Sequence, residues 1–202
     1  MGMNKLFRNS AINILFRILT ALSLAVILVL ISRAFGPEGK GIFAMLYFIP
    51  LLAFNLGHLG IGNANVYFIS KDKSVSERAL FNSLFEGLVL GGLFVGLFFL
   101  IAKFYPVLLY GKLDPYYIWL ALLSIPFLFW ERFLQGIFVG KQEFGFFNLA
   151  TFLNKLLIIL VLILQIYFWK TNINQIVLSY TIITISLPLV FIFYLLIKQK
   201  NI

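Results

Sequence analysis

Apolar residues run through this chain in long stretches, broken by short polar segments. About 20 apolar residues cross a bilayer core. By that measure the sequence divides into six spans: Ala11–Ser32, Ile42–Ile69, Leu80–Tyr105, Tyr116–Val139, Phe146–Trp169 and Gln175–Ile197. In hydrocarbon each backbone polar group needs a partner within its own segment, so the spans are predicted helices. The expected fold is all-α: a polytopic membrane protein, one bundle of about six transmembrane helices over residues 1–202. The polar opening Met1–Asn9, with Lys5 and Arg8, precedes an apolar run about twice the length of a signal-peptide core, and no small-residue cleavage site follows. It reads as the lead-in to a retained first span.

The break between the first two spans, Arg33-Ala-Phe-Gly36-Pro37-Glu38-Gly39-Lys40-Gly41, is the most structured of the polar segments. Gly36 can adopt the positive φ that closes a helix. Pro37 suits the first turn of the next helix, and Glu38 complements its positive end. Gly39 and Gly41 let the helix ends approach. A tight connection between antiparallel helices is expected.

Other punctuation is plainer. Pro50 predicts a kink in span two, Pro126 lies mid-way through span four, and Pro188 predicts a kink in span six. Ser74-Val-Ser-Glu77 has the form of a capping box for span three. Gly87/Gly91 and Gly92/Gly96 are four apart, a spacing that permits close helix approach. Pro106 and Gly111-Lys-Leu-Asp-Pro115 end the third span, and Gly140-Lys-Gln-Glu-Phe-Gly145 ends the fourth.

Composition narrows the class. Hydrophobic residues are 62% of the chain and charged residues 11%, which no ordinary soluble domain shows. There is no Cys and one His, so neither thiolate chemistry nor a His-cluster metal site is expected. The formal charge of +9 is scattered among apolar segments, which fits anionic lipid headgroups and membrane orientation rather than nucleic acid. With the N-terminus in the cytoplasm, that side holds Lys5, Arg8, Lys71, Lys73, Arg78, Lys141, Lys198 and Lys200; the other side holds Arg33, Lys40, Lys103, Lys112 and Lys170. The excess predicts both termini inside. Trp119 and Trp169 fall near outer span ends, as interface aromatics do.

Ionisable groups within spans are costly and mark candidate sites. They are Arg17, Glu86, Glu131, Arg132 and Lys155. Arg17 and Lys155 sit at depths from which snorkelling competes with a cavity-facing role. Glu86 fits a helix N-terminus or an ion pair. Glu131 and Arg132 point about 100° apart on a helix and need not pair with each other. His58 is the one histidine, the residue type suited to a proton switch; a helix-packing role outweighs a proton-coupling one. Asn13, Asn55, Asn63 and Asn65 either line a polar cavity or bond between helices. No hydrolase, P-loop or metalloprotease motif is present, and the seven acidic residues are dispersed. No enzyme activity, metal or cofactor is expected.

Three motifs carry a family resemblance. Arg33-x-x-Gly36-Pro37-Glu38-x-x-Gly41-x-Phe43 follows the first span. Leu56-Gly-His-Leu-Gly60-Ile-Gly-Asn-Ala64 lies late in the second, and Gln135-Gly136-Ile-Phe-Val-Gly140-Lys-Gln-Glu-Phe144 ends the fourth. Together they resemble Wzx-type polysaccharide flippases, the oligosaccharide branch of the multidrug/oligosaccharidyl-lipid/polysaccharide exporter superfamily. The "LGLGxA" and "QGxxxGxxxF" regions of that family match in order and spacing.

The resemblance implies a lobe like that of a MATE-type transporter, and transport of a lipid-linked (polyprenyl-phosphate type) oligosaccharide across the cytoplasmic membrane. Such flippases have about twice as many spans in two pseudo-symmetric lobes, so a second lobe or a homodimer is the implied partner. The implied cavity residues are Arg17, Lys155 and Arg132, with Glu86, Glu131, Asn55 and His58 as further candidates. Arg33, Gly36, Pro37, Glu38 and Gly41 form the motif turn. A non-transporting assembly subunit and a small-solute or drug exporter are the competing readings.

Overall fold

A computed structural model describes residues 3–107 and 113–199 of the chain, with side chains for 12–107 and 113–198. The described residues are helical nearly throughout and contain no strand. In chain order the helices are α1 (3–35), α2 (37–57), α3 (Ile61–Lys71), α4 (Ser76–Phe104), α5 (Pro115–Gly140), α6 (Phe144–Ile163) and α7 (Ile173–Gln199). A single turn of π-helix, Leu164–Phe168, extends α6.

Hydrogen-bonded helix runs closer to the 33–41 break than hydropathy does. Only Gly36 leaves helical geometry, at φ 63° and ψ −157°. The break expected over nine residues is a one-residue hinge, because polar residues end an apolar run without ending a helix. Gly39 packs against Phe35 and Ile173, whereas nothing lies near Gly41, so only Gly39 serves the close approach. The chain reverses here. Arg17 and Pro50 line one cavity, yet in a straight helix they would stand roughly 50 Å apart.

Contacts at the two ends fix the course of the chain. Asn13 of α1 bonds Asn148 at the start of α6 (2.5 Å), and Lys198 of α7 pairs with Glu143 before α6 (3.0 Å). At the far end the Tyr117 hydroxyl donates to Asn174 Oδ1 (2.5 Å), and Gly39 touches Ile173. The start of α1, the 72–75 loop, the 141–143 loop and the end of α7 therefore share one face of the bundle. The Gly36 hinge and the start of α5 share the other.

The second span, expected as one helix kinked at Pro50, is divided. Helix continues through Pro50, as it does through Pro126 and Pro188. The interruption falls at 58–60, where Leu59 and Gly60 take φ of 47° and 74°. The entry to α4 also differs from the expected capping box. The Asp72 side chain accepts from the Ser74 N–H (2.9 Å), and α4 starts at Ser76 without a side-chain cap. The Ser74 side chain, and after it this backbone N–H, hold the Asp72 carboxyl below its usual range. Asp114 caps α5 through the Tyr116 N–H (2.9 Å), with Pro115 in the first turn. Gly111 and Lys112 of the expected turn lie outside the described residues.

Helix α5 is the centre of the bundle. It packs against α1–α2, α3, α4 and α7 and buries Phe129, Phe133 and Phe138 completely. Phe129 meets Phe54, Phe94 and Phe133, while Phe138 meets Phe146, Phe147 and Phe191.

Lipid tails are as apolar as these side chains, so helix association rests on close packing and interhelical hydrogen bonds. Both occur. Gly87 and Gly91 of α4 lie against Trp130 and Pro126; Gly92 and Gly96 face open space, so half the expected glycine stripe packs. Asn65 Nδ2 donates to Ser83 Oγ (2.8 Å) and to the Phe133 carbonyl (3.2 Å). Trp130 Nε1 donates to the Leu84 carbonyl (2.8 Å), Asn154 Nδ2 to that of Ile183 (2.8 Å).

Candidate functional site

A cavity of about 470 Å³ lies between α1, α2, α5, α6 and α7. It occupies the half of the bundle nearer the chain termini, since its α1 wall runs from Asn13 to Leu24 and its α6 wall from Phe144 to Lys155. Each wall is a helical stripe. On α1 the polar positions are Asn13, Arg17 and Thr20; on α6 they are Asn148, Thr151 and Lys155; on α5 they are Ser124, Glu131, Arg132 and Gln135. Steps of three or four residues put such positions on one helix face. Tyr47 of α2 and Tyr180, Thr181 and Thr184 of α7 complete the polar lining, amid Phe16, Leu46, Phe127 and Phe147.

Four of the five ionisable residues singled out within spans meet here: Arg17, Glu131, Arg132 and Lys155. Arg17 is exposed, and the other three are half-buried. The site thus gathers three cationic groups and one carboxylate in a mostly apolar wall. None is locked: among the described residues the one ion pair within 4 Å is Lys198–Glu143, outside the cavity. Arg132 Nε is buried without a hydrogen-bond partner. Glu131 and Arg132 are the charges that act on Lys155 through space. Such an arrangement can hold an anion with two or more acceptor oxygens, and a guanidinium can grip it bidentately.

The remaining candidates lie elsewhere. Glu86 is on α4, which contributes nothing to the lining and packs on the other side of α5. Asn55 is exposed, one turn beyond Leu51, the last α2 residue to line the cavity. His58 serves the helix break itself: its ring stacks on Phe54 (centroids 5.2 Å apart) and Nδ1 accepts from the Gly60 N–H (3.0 Å). Of the asparagines, Asn13 lines the cavity, Asn65 bonds between helices, and Asn63 is exposed. Arg33 and Glu38 are exposed beside the Gly36 hinge, far from the cavity end of α1. No group of three or more His, Asp or Glu side chains comes together among the described residues.

Gln135, Tyr47, Thr20, Thr151 and Thr184 were not singled out from the sequence as cavity residues. Polar residues at three- and four-residue steps from Arg17 and Lys155 were the available signal for Thr20 and Thr151. Gln135 does double duty: it lines the cavity, and it opens the Gln135–Phe144 motif. Two of the motifs pack on each other. A Cβ on Gly136 would overlap the Gly62 carbonyl, and one on Gly140 would press on Ile69.

The sequence profile for polysaccharide biosynthesis proteins matches residues 6–201. Comparison with curated proteins and with solved structures finds no match. With a match across nearly its whole length, on a bundle of helices long and apolar enough to cross a membrane, the chain belongs to the polysaccharide biosynthesis protein family, that of the Wzx-type flippases, whose members are membrane proteins of the transporter type.

Proposed function

We propose that this chain carries a lipid-linked oligosaccharide across the cytoplasmic membrane, as one lobe working against a second. The observation that carries this reading is the cavity: Arg17, Arg132 and Lys155 converge on it within an otherwise apolar bundle. A phosphate or diphosphate headgroup entering hydrocarbon alone meets a prohibitive desolvation cost. A cationic, hydrated cavity replaces its water shell, while the polyprenyl tail stays in the bilayer. Three cationic groups against one carboxylate favour an anionic amphiphile over a cationic drug.

The excess of Lys and Arg on the face with the termini supports a cytoplasmic position for that face. The cavity then lies in the cytoplasmic half. Alternating access by rocking of two lobes about a central site requires a partner lobe, supplied by a second polypeptide or a second copy of this chain.

Proteoliposomes loaded with a fluorescent polyprenyl-diphospho-sugar test the reading through loss of fluorescence to an outside quencher. The wild-type assembly should expose the inner-leaflet label, and Arg17→Ala combined with Lys155→Ala should slow exposure at least tenfold. Unchanged flipping in that double variant, at equal protein incorporation, would sink the cationic-cavity mechanism.

A further inference from the structure

Between the cations and the face that holds the termini, the cavity has an uncharged level built on three half-buried amides. Gln135 lies just over one turn before the end of α5, and Asn148 one turn into α6. The 141–143 loop joins those two helix ends, which puts both amides at the same depth. Asn148 Nδ2 donates to Asn13 Oδ1 (2.5 Å) and so brings Asn13 of α1 to that depth as well. Arg17 follows Asn13 by four residues, Arg132 precedes Gln135 by three and Lys155 follows Asn148 by seven. The cations therefore stand one to two turns deeper.

A primary amide offers N–H donors and a carbonyl acceptor side by side. Most of that capacity is unspent here. The Asn148 carbonyl, the Asn13 Nδ2 and the whole Gln135 amide have no partner among the described residues, and none of these atoms is sealed from the cavity space. The hydroxyls of the lining differ. Ser124, Thr151 and Thr181 each donate to a carbonyl of their own helix (3.0, 2.8 and 2.9 Å), which leaves them as acceptors only. Phe16 and Phe147 border the amide level with apolar surface.

We propose that Asn13, Asn148 and Gln135 read the hydroxyls of the sugar joined to the diphosphate. Neighbouring sugar hydroxyls each donate and accept, which matches the paired donor and acceptor of an amide, while the C–H face of the ring packs on Phe16 and Phe147. The spacing fits: one helical turn, about 5.4 Å, separates the amides from Arg17 and Arg132, the scale of one sugar ring. At about 470 Å³ the cavity is of a size that takes one drug-sized ligand. A diphosphate and its first sugar are thus what it holds, and further sugars trail towards the face with the termini. A sugar whose hydroxyls miss the amides leaves them unpaired, which is how a polar site rejects a wrong ligand. This assignment rests on the flippase reading above and names the part of the substrate by which the cavity selects.

The test uses farnesyl diphosphate esterified at its free end with glucose, galactose, N-acetylglucosamine or methanol. All four diesters carry the same charge, so the ratio of the methyl Kd to a sugar Kd isolates the sugar. Binding to purified protein in detergent is measured by calorimetry. The best sugar diester should bind wild type at least about tenfold more tightly than the methyl diester, the scale of two net hydrogen bonds. Gln135→Leu and Asn148→Leu should each cut that ratio at least about threefold. Arg17→Ala should weaken all four probes and keep the ratio.

A wild-type ratio near one for all three sugars overturns the proposal, and so does a ratio that survives in Gln135→Leu or falls in Arg17→Ala. Asn148→Leu also breaks the bond to Asn13; should it fail to fold, Gln135→Leu, whose amide has no partner among the described residues, decides alone. Should Gln135→Leu fail instead, a ratio that survives in Asn148→Leu is the overturning result. If wild type binds none of the four probes, the methyl diester included, the flippase reading itself falls, whereas equal binding of all four removes only the role of the amides.

Discussion

The carbonyl of Gly62 rests on Gly136 so closely that these two backbones exclude any side chain at position 136. The contact joins α3 to α5, and with it the second and third family motifs. It is asymmetric: a Cβ built on Gly62 would sit 3.4 Å from the Arg132 carbonyl, close to ordinary contact. Gly136→Ala should therefore destabilise the bundle by about 1–3 kcal/mol, the cost of overpacking, and Gly62→Ala by much less. Thermal unfolding in detergent, followed by tryptophan fluorescence, compares the two; equal losses would contradict the asymmetry.

The glycines of α4 offer a second contrast. A Cβ on Gly91 would stand 2.6 Å from Pro126 Cα, a backbone atom that cannot swing aside, whereas nothing lies within 4 Å of Gly92 or Gly96. Gly91→Ala should lower stability. Gly92→Ala and Gly96→Ala should be neutral or stabilising by up to about 1 kcal/mol, from helix propensity alone. A large melting-temperature loss in the Gly96 variant would show that this face is covered in the folded protein.

Gly36 combines positive φ with an extended ψ, a region essentially reserved for glycine. Any other residue there carries a strain of about 1–3 kcal/mol. Gly36→Val should reduce the yield of folded, membrane-inserted protein, whereas Gly41→Ala, a few residues on in regular helix, should not. Size-exclusion profiles of detergent extracts make the comparison. Normal expression of Gly36→Val with selective loss of transport would instead give the hinge a gating role.

Asn65 and Asn63 are two residues apart and differ in kind. Asn65 is buried and bonds two helices at once; Asn63 is exposed. Interhelical hydrogen bonds in membranes contribute about 0.6 kcal/mol on average and up to about 1.7 kcal/mol. Asn65→Ala should cost about 1–3 kcal/mol for its two bonds together, and Asn63→Ala nearly nothing. Reversible unfolding in mixed micelles separates these outcomes.

The all-α membrane character was legible because it needs only run length and polarity. The Gly36 reversal was legible because φ > 0 next to Pro leaves few alternatives. The broken second span was not. His58-Leu-Gly60 looks like helix by hydropathy, and Leu59, an ordinary apolar residue, takes positive φ. Pro50 drew attention as the disruptor, yet a proline inside a membrane helix can be accommodated by its surroundings. The charged lining was legible as a set of costly residues but not as a site. On helices apolar all round, hydropathy does not say which face turns inward. Glu86 looks as conspicuous as Glu131 in sequence, and only the packing of α4 on α5 separates them.

The break at 58–60 has one more consequence. Residues 61–140 contain α3, α4 and α5, a contiguous stretch held together by Gly62–Gly136, Asn65–Ser83 and Trp130–Leu84. During synthesis this spine is complete as soon as Gly140 leaves the ribosome. The polar walls of α6 and α7 arrive afterwards, so Arg17 and Glu131 leave the ribosome before Lys155 and Thr184 emerge to face them. The cavity is thus the last part of the bundle to be completed.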